Sequence, residues 1–257
     1  MKKILLQGIP YDEKSSYEKG PKLAPPLIRE ALHSGSMNLF AENGISMAHA
    51  FEDEGDFEVS EYFDIEDITR ENLKSDNKIF TLGGDHSITF PILKALGEKY
   101  PKMDILHIDA HSDLYDHYEG DKYSHACPFA RIMENKLATR LVQVGIRTLN
   151  THQTEQAEKF GVEIHQMKAL DLSQIPVFEN PLYISLDMDA FDPAFAPGVS
   201  HHEPGGLSSR QVIALIQGID AVVIGADIVE YNPNRDFQNM TAFLAAKMLK
   251  EIMVKMM

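Results

Sequence analysis

The sequence predicts an α/β protein with three layers, in which helices cover both faces of a central, mostly parallel sheet. Two observations predict this class. Apolar runs with the length of strands alternate with helix-like stretches along most of the chain, and this order is typical of a parallel sheet. Several of these runs are apolar almost throughout, as expected for strands that are buried on both faces.

The strand-like runs lie near residues 2–8, 79–82, 104–109, 140–146, 162–166, 182–187 and 221–228. The helix-like stretches lie near residues 24–34, 64–75, 87–100, 124–136, 151–160, 208–218 and 240–256. Lys2 and Lys3 precede the first run, as in a signal peptide, but Gln7 and Gly8 end that run too early for one. The acidic stretch 52–67 is the least regular region, and we predict a surface loop there that leads into a helix.

Local signals support several of the helix starts. Pro25 and Pro26 suit a first helical turn, where the missing N–H of proline is not needed. Ser124 and Ser208 are predicted to cap the helices that follow them. The apolar stripe between residues 243 and 253 is typical of a helix face that packs on the core.

Composition sets limits on the class of protein. The 257 residues suit one α/β domain, and 44% of them are hydrophobic, so we expect a single domain over residues 1–257. The net charge of −15 leaves no basic face for nucleic acid and suits a cationic substrate or metal ions, although acidity can also serve solubility alone. Cys127 is the only cysteine, so no intramolecular disulfide can form, and we predict a cytoplasmic protein. No apolar stretch approaches the length of a membrane span.

Three short clusters of histidine and aspartate each follow a strand-like run. They are His86, then Asp109 with His111 and Asp113, then Asp187 with Asp189. Binding sites in an open parallel sheet lie just past the carboxyl ends of the strands. We therefore expect consecutive strand ends to deliver these six side chains to one crevice.

Each cluster alone has a simpler interpretation. Asp109 can cap a polar strand end, Asp85 or Ser87 can cap the helix after the glycine-rich turn, and Asp192 suits a turn. Two carboxylates at the end of a buried strand are costly, however, unless something positive neutralises them. A metal ion is the simplest such partner, and three clusters at matching positions favour it.

The types of side chain indicate which metal would bind. Four carboxylates and two imidazoles without a thiolate form a hard ligand set, which suits two Mn²⁺ ions better than Zn²⁺ or Cu²⁺. Two ions about 3.5–4 Å apart can share a water and lower its pKa from about 15.7 towards about 7. The residues therefore predict a binuclear metallohydrolase.

The same motifs resemble those of the ureohydrolases, the arginase and agmatinase family, over nearly the whole chain. The matching segments are 83–87, 109–113, 185–193, 196–198, 205–207 and 227–233. Finer features resemble the plant-type arginases, namely segments 15–21, 119–126, 192–206 and 232–236. The resemblance implies the arginase-like fold, with a three-layer α/β/α arrangement, and an assembly of three chains or of two stacked trimers.

The resemblance also implies roles for single residues. One manganese ion would be held by His86, Asp109, Asp113 and Asp187, and the other by His111, Asp189, Asp109 and Asp187. Glu230 would orient a guanidinium group, His125 would shuttle protons near the leaving amine, and Asp113 would hold the proton of the nucleophile. The implied reaction is attack of a metal-bridging hydroxide on the guanidinium carbon, which releases urea and an amine.

The residues alone support these roles of Glu230 and His125 less strongly than the resemblance does. A carboxylate after an apolar run, such as Glu230, can bind a planar cation through both of its oxygens, and a histidine such as His125 titrates near neutral pH. Either residue can also be an ordinary surface residue. His201 and His202 are expected either at a pocket rim or in solvent, with the two interpretations equal. Cys127 is expected to be buried packing.

The predicted function is a guanidino-hydrolase, and arginase, which converts L-arginine and water to L-ornithine and urea, is the leading hypothesis. The alternative is agmatinase, or a hydrolase of another guanidino or formimidoyl compound. The loop 114–120 lacks the asparagine and serine with which mammalian-type arginases bind the amino-acid end of arginine, which leaves the substrate open. A non-catalytic binding protein on the same scaffold is the alternative of a different class.

Overall fold

A parallel sheet of eight strands forms the centre of the molecule. The computed structural model describes residues 3–257, so Lys2 of the first predicted strand lies outside the described residues. The strands are β1 Ile4–Ile9, β2 Phe51–Asp56, β3 Lys78–Gly83, β4 Asp104–Ile108, β5 Arg140–Ile146, β6 Glu163–Gln166, β7 Leu182–Asp187 and β8 Val223–Val229. Their order across the sheet is β2-β1-β3-β8-β7-β4-β5-β6, and every neighbouring pair is parallel.

Helices cover both faces of this sheet. Within the described residues they are α1 Ala24–Leu32, α2 Asp64–Asn72, α3 Thr89–Lys99, α4 Pro128–Glu134, α5 Thr151–Phe160, α6 Ser209–Gly218 and α7 Met240–Met256. One core lies between the sheet and α1, α6 and α7, and a second lies between the sheet and α2 to α5. Strand side chains alternate between the two, so that Leu106 faces the first core and Ile105 the second. The predicted three-layer α/β class is confirmed, and no described helix has the length and apolar character needed to cross a membrane.

The prediction of a surface loop over the acidic stretch is wrong at its start, where β2 forms. This strand lies at the edge of the sheet, pairs only with β1 and is largely exposed, so it has no need of apolar alternation. Arg29 of α1 donates hydrogen bonds to Asp53 and Asp56 and so links β2 to the helical layer that contains α1. Charged side chains on an edge strand also discourage pairing with another chain.

The start of α4 also differs from the prediction. The helix begins at Pro128 and not near residue 124, and Ser124 does not cap it. Proline favours the first helical position and disfavours helix for the residue before it, which explains the later start. By contrast, Ser208 caps α6 with a reciprocal hydrogen bond to Gln211, and prolines occupy the first turn of α1, both as predicted.

Candidate active site

The predicted site residues lie at the carboxyl ends of the four central strands. Asp109 follows β4, Asp187 ends β7, Glu230 follows β8, and the turn after β3 carries His86. The sequence predicts ligands from consecutive strand ends, but in the sheet β8 separates β3 from β7. Glu230 thereby lies between the strands that carry the histidine and the aspartates.

A tight turn after β3 directs His86 inwards. Gly84 passes so close to the N-terminal loop that a Cβ there would lie 1.8 Å from the carbonyl oxygen of Tyr11. Asp85 accepts a hydrogen bond from the N–H of Ser87 at 3.1 Å and so caps the short 3-10 turn His86–Ile88, whereas no side chain caps α3 itself. Burial and the nearby charge of Glu230 raise the pKa of Asp85 to about 6.

Three carboxylates converge on one nitrogen of His86. The Nδ1 atom lies 3.1 Å from Asp187 Oδ2, 3.2 Å from Asp109 Oδ2 and 3.3 Å from Asp113 Oδ2. Ser185 donates its hydroxyl hydrogen to Asp227 at 2.7 Å, so its oxygen is free to accept from His86 Nε2, 2.9 Å away. In that tautomer, the Nδ1 lone pair points at the carboxylates, an arrangement that a cation between them would stabilise.

A second group of the predicted ligands shares Asp109 with the first. His111 Nδ1 lies 2.9 Å from Asp189 Oδ2 and 3.6 Å from the Oδ1 atom of Asp109. Burial raises the pKa of Asp187 well above its ordinary value, and repulsion from Asp189 and Asp109 adds to that shift. Such a cluster is stable in its ionised form only with positive charge among its members, and its hard oxygen and nitrogen donors fit divalent ions.

His125 and Glu230 form a pair beside this cluster. His125 Nδ1 lies 2.8 Å from Glu230 Oε1, which also accepts the N–H of His86 at 2.8 Å. Burial alone would lower the pKa of His125, but the charge and hydrogen bond of Glu230, together with the charges of Asp85 and Asp113, outweigh it and raise the pKa to about 9. Glu230 adopts a left-handed backbone with φ of 62°, and Asp113 does so with φ of 49°. Non-glycine residues in this region are strained, and such residues concentrate at functional sites.

These groups open onto one cavity of about 230 Å³. Its lining includes four carboxylates and three histidines, namely Asp113, Asp187, Asp189, Glu230, His111, His125 and His201. The lining residues, all in the described part of the chain, include no lysine or arginine. The cavity is therefore suited to a cation. Its other polar groups are neutral: Ser16, Tyr115, Tyr118, Thr148 and Gln153.

Comparison with known proteins identifies the family to which this site belongs. The sequence profile of the Arginase family matches residues 2–255. The chain belongs to the arginase family. It is 45% identical to a mitochondrial arginase of Arabidopsis thaliana, over 97% of this chain and 80% of the relative. It is 30% identical to an agmatinase of Bacillus cereus, over 98% of this chain and 91% of the relative. A solved arginase of Medicago truncatula superposes with a TM-score of 0.93 at 41% identity, over 99% of this chain and 87% of that one. The predictions of a ureohydrolase fold and of a ureohydrolase enzyme are confirmed.

The prediction of a cytoplasmic location is wrong. Plant arginases similar to this chain are named as mitochondrial or as chloroplastic/mitochondrial. The prediction rested on the single cysteine, which rules out an intramolecular disulfide but does not distinguish one reducing compartment from another.

Three residues of this arginase-family site were not predicted from the sequence. Ser16 contacts His125 Nε2 through its hydroxyl at 2.7 Å and its N–H at 3.1 Å, from a loop far away in the chain. Arg147 donates to the carbonyl oxygens of Asp189, at 2.7 Å, and of Glu203, at 2.6 Å, and so joins the turn that carries the predicted ligand Asp189 to the loop that carries His201. His107 lies within the apolar run of β4, and its Nε2 atom is 2.6 Å from Oδ2 of the predicted ligand Asp109. Only its polarity inside a buried strand could have drawn attention to it.

The structure also settles where His201 and His202 lie, which the sequence left open, and confirms the predicted burial of Cys127. His201 lines the cavity, and its ring lies 5.4 Å from that of His125 and 5.8 Å from that of His111. His202 is exposed and contacts the carbonyl oxygen of Pro197. Cys127 is buried as predicted, and burial raises its pKa to about 12, which disfavours the thiolate needed for nucleophilic chemistry.

Proposed function

We propose that this ureohydrolase is an arginase, which converts L-arginine and water to L-ornithine and urea. One observation carries the proposal: the buried pair of Glu230 and His125 lines a cavity without lysine or arginine together with four of the six predicted ligands, His111, Asp113, Asp187 and Asp189. The similarity to plant arginases over 97% of the chain supports arginine as the substrate.

We propose that the six side chains hold two Mn²⁺ ions per chain. One ion would lie among His86, Asp109, Asp113 and Asp187, and the other among His111, Asp189, Asp109 and Asp187, so that two aspartates are shared. The distances around His86 and around His111 support these two groups, and Asp109 contacts both. When bound, the ions would lower the pKa of water and so supply a hydroxide nucleophile at neutral pH.

The protein's own residues would orient the substrate and move protons. Glu230 Oε1 already accepts from His86 N–H and contacts His125, which leaves Oε2 to accept from the guanidinium. His125, with its pKa raised to about 9, would be protonated at neutral pH and ready to donate to the leaving amine. With His125 protonated, the hydroxyl oxygen of Ser16 would hold the ring in place by accepting from Nε2. Asp113, which lines the cavity, would accept the proton of the nucleophile.

Selection of arginine over agmatine requires groups that bind a carboxylate, which agmatine lacks. Gln153 lines the cavity at the N-terminus of α5, where helix N–H groups favour negative charge. Its Oε1 accepts the N–H of Asn150 in a capping box, so its amide nitrogen remains available to the substrate. We propose that this end of the cavity binds the carboxylate of arginine.

Gln153→Glu tests this assignment, because glutamate preserves a capping box while adding negative charge. We expect kcat/KM for arginine to fall by about tenfold or more, since a charged hydrogen bond is worth about 1.5–3 kcal/mol. Agmatine should be affected far less. The measurement is urea release from arginine, agmatine, guanidinobutyrate and formimidoylglutamate by both proteins. A wild-type preference for agmatine over arginine would overturn the arginase assignment but leave the metal centre intact.

Agmatinase is the second candidate function. The observation in its favour is the loop 114–120, which brings Tyr115 and Tyr118 to the cavity in place of the asparagine and serine implied for mammalian-type arginases. The similarity to an agmatinase is lower, at 30% identity, than that to the plant arginase. The substrate panel distinguishes the two functions directly.

We further propose that residues 1–257 act as one ureohydrolase domain and assemble as a trimer or as two stacked trimers. The single sheet that runs from β1 to β8 supports one domain, and the assembly rests on the family resemblance. Light scattering of the native protein measures the assembly, and a monomer would contradict it.

A further inference from the structure

His107 lies directly behind the proposed metal centre. It is fully buried in β4, its ring stacks on Phe129 at 3.8 Å between centroids, and its Nε2 atom lies 2.6 Å from Asp109 Oδ2. His86, His107 and Asp109 each offer one ligand atom, and these three atoms lie within 4.8 Å of one another. On distance alone, His107 could be a further metal ligand or a hydrogen-bond donor to Asp109.

The contacts of Gln143 decide between these roles. Gln143 Nε2 lies 2.7 Å from the carbonyl oxygen of Ser112 and 2.9 Å from His107 Nδ1. A backbone carbonyl only accepts, so the atom that faces it must be the amide nitrogen and not the amide oxygen. The two hydrogens of that nitrogen then go to Ser112 and to His107 Nδ1.

The tautomer of His107 follows from this arrangement. Because Nδ1 accepts from Gln143, it carries no hydrogen, and the hydrogen of the neutral ring is on Nε2. A protonated Nε2 has no lone pair for a metal ion, but it is an ideal donor to Asp109 Oδ2, 2.6 Å away. His107 is therefore excluded as a ligand in this tautomer.

We infer that His107 is a positioning residue that fixes the orientation of Asp109, and that Gln143 sets the tautomer needed for this task. The inference rests on the proposed metal centre, in which Asp109 is shared by both ions. A carboxylate that must face two ions at once gains from a donor that stops it rotating, and donors to ligating carboxylates strongly affect metal affinity. His107 would then act on Mn²⁺ binding without touching metal or substrate.

The test compares two substitutions at His107. His107→Leu removes the donor, whereas His107→Gln retains an N–H group that can reach Asp109. We expect Mn²⁺ affinity to fall by about 10–100-fold in His107→Leu and by less than about 10-fold in His107→Gln. The affinity is measured by titrating metal-depleted protein with Mn²⁺ and following free Mn²⁺ by electron paramagnetic resonance. Wild-type affinity in His107→Leu, or equal losses in both variants, would overturn the inference.

Gln143→Leu provides a second, independent variant, because the imidazole stays in place and only the group that sets its tautomer is lost. We expect weaker Mn²⁺ binding here too, by about 10-fold or more. Unchanged binding in Gln143→Leu would contradict the assigned tautomer even if His107→Leu failed to fold. Wild-type protein is titrated in parallel: if it binds no Mn²⁺, the proposed function fails, whereas normal wild-type binding with unaffected variants refutes only the role of His107.

Discussion

Replacing Asp109 with alanine is expected to remove both Mn²⁺ ions, or nearly so, and to lower kcat/KM by about 10,000-fold. Asp109 contacts His86 through Oδ2 and His111 through Oδ1, so its loss disrupts both groups of ligands. The expected fall corresponds to about 5.5 kcal/mol of transition-state stabilisation, in keeping with the several kcal/mol that a metal ion supplies. Asp187→Ala should have a similar effect. Metal analysis of the purified variants, together with urea release, makes the measurement.

Asp104→Asn is the matched control for this experiment. Asp104 is buried like Asp109, but it begins β4, whereas Asp109 follows the other end of that strand, and it accepts from Asn180 at 3.0 Å. Its replacement should leave metal content and kcat/KM close to those of the wild type. If Asp109→Ala retained two ions, or if both variants lost them equally, Asp109 would not be the shared ligand.

Glu230→Gln should lower kcat/KM for arginine and agmatine alike, by about 100-fold to 1,000-fold. Loss of one member of a buried charge pair costs about 2–5 kcal/mol, and the guanidinium that Glu230 would bind is common to both substrates. The variant also removes the charge that raises the pKa of His125. The pKa of His125 should therefore fall from about 9, and the matching limb of the pH profile of kcat/KM should move to lower pH.

Glu251→Gln is the control for Glu230. Glu251 is a buried glutamate of α7 that also accepts a backbone N–H, that of Glu42 at 2.8 Å, but it lies outside the cavity lining. Its replacement should change stability and leave the pH profile as it is. A Glu230→Gln protein that lost activity on arginine but kept it on agmatine would contradict a role at the shared guanidinium.

The strands that were predicted correctly are those whose burial requires a run of mostly apolar residues. β4 and β7 lie inside the sheet between other strands, so most of their residues are apolar, and the proposed ligands begin where the strands end. β2 was not predicted because it is exposed and its sequence has no apolar run. As an exposed edge strand it is stabilised by backbone pairing to β1 and by ion pairs to Arg29, neither of which imposes an apolar pattern.

The groups that support the site are harder to predict than its proposed ligands. The proposed ligands form short motifs, whereas Ser16 and His125 meet only because the N-terminal loop folds over the turn after β3. His107 sits among apolar neighbours, and its partner Gln143 lies on the next strand, β5. Contacts of this kind depend on strand register and loop packing, which one sequence does not reveal.

Titration of metal-depleted wild-type protein with Mn²⁺, with urea release from L-arginine followed at each addition, is the most direct test of the proposed binuclear arginase. Turnover should be absent without metal and should rise until two ions are bound per chain. Full turnover in protein shown to be free of metal would contradict the account, and so would saturation of turnover at a single ion per chain.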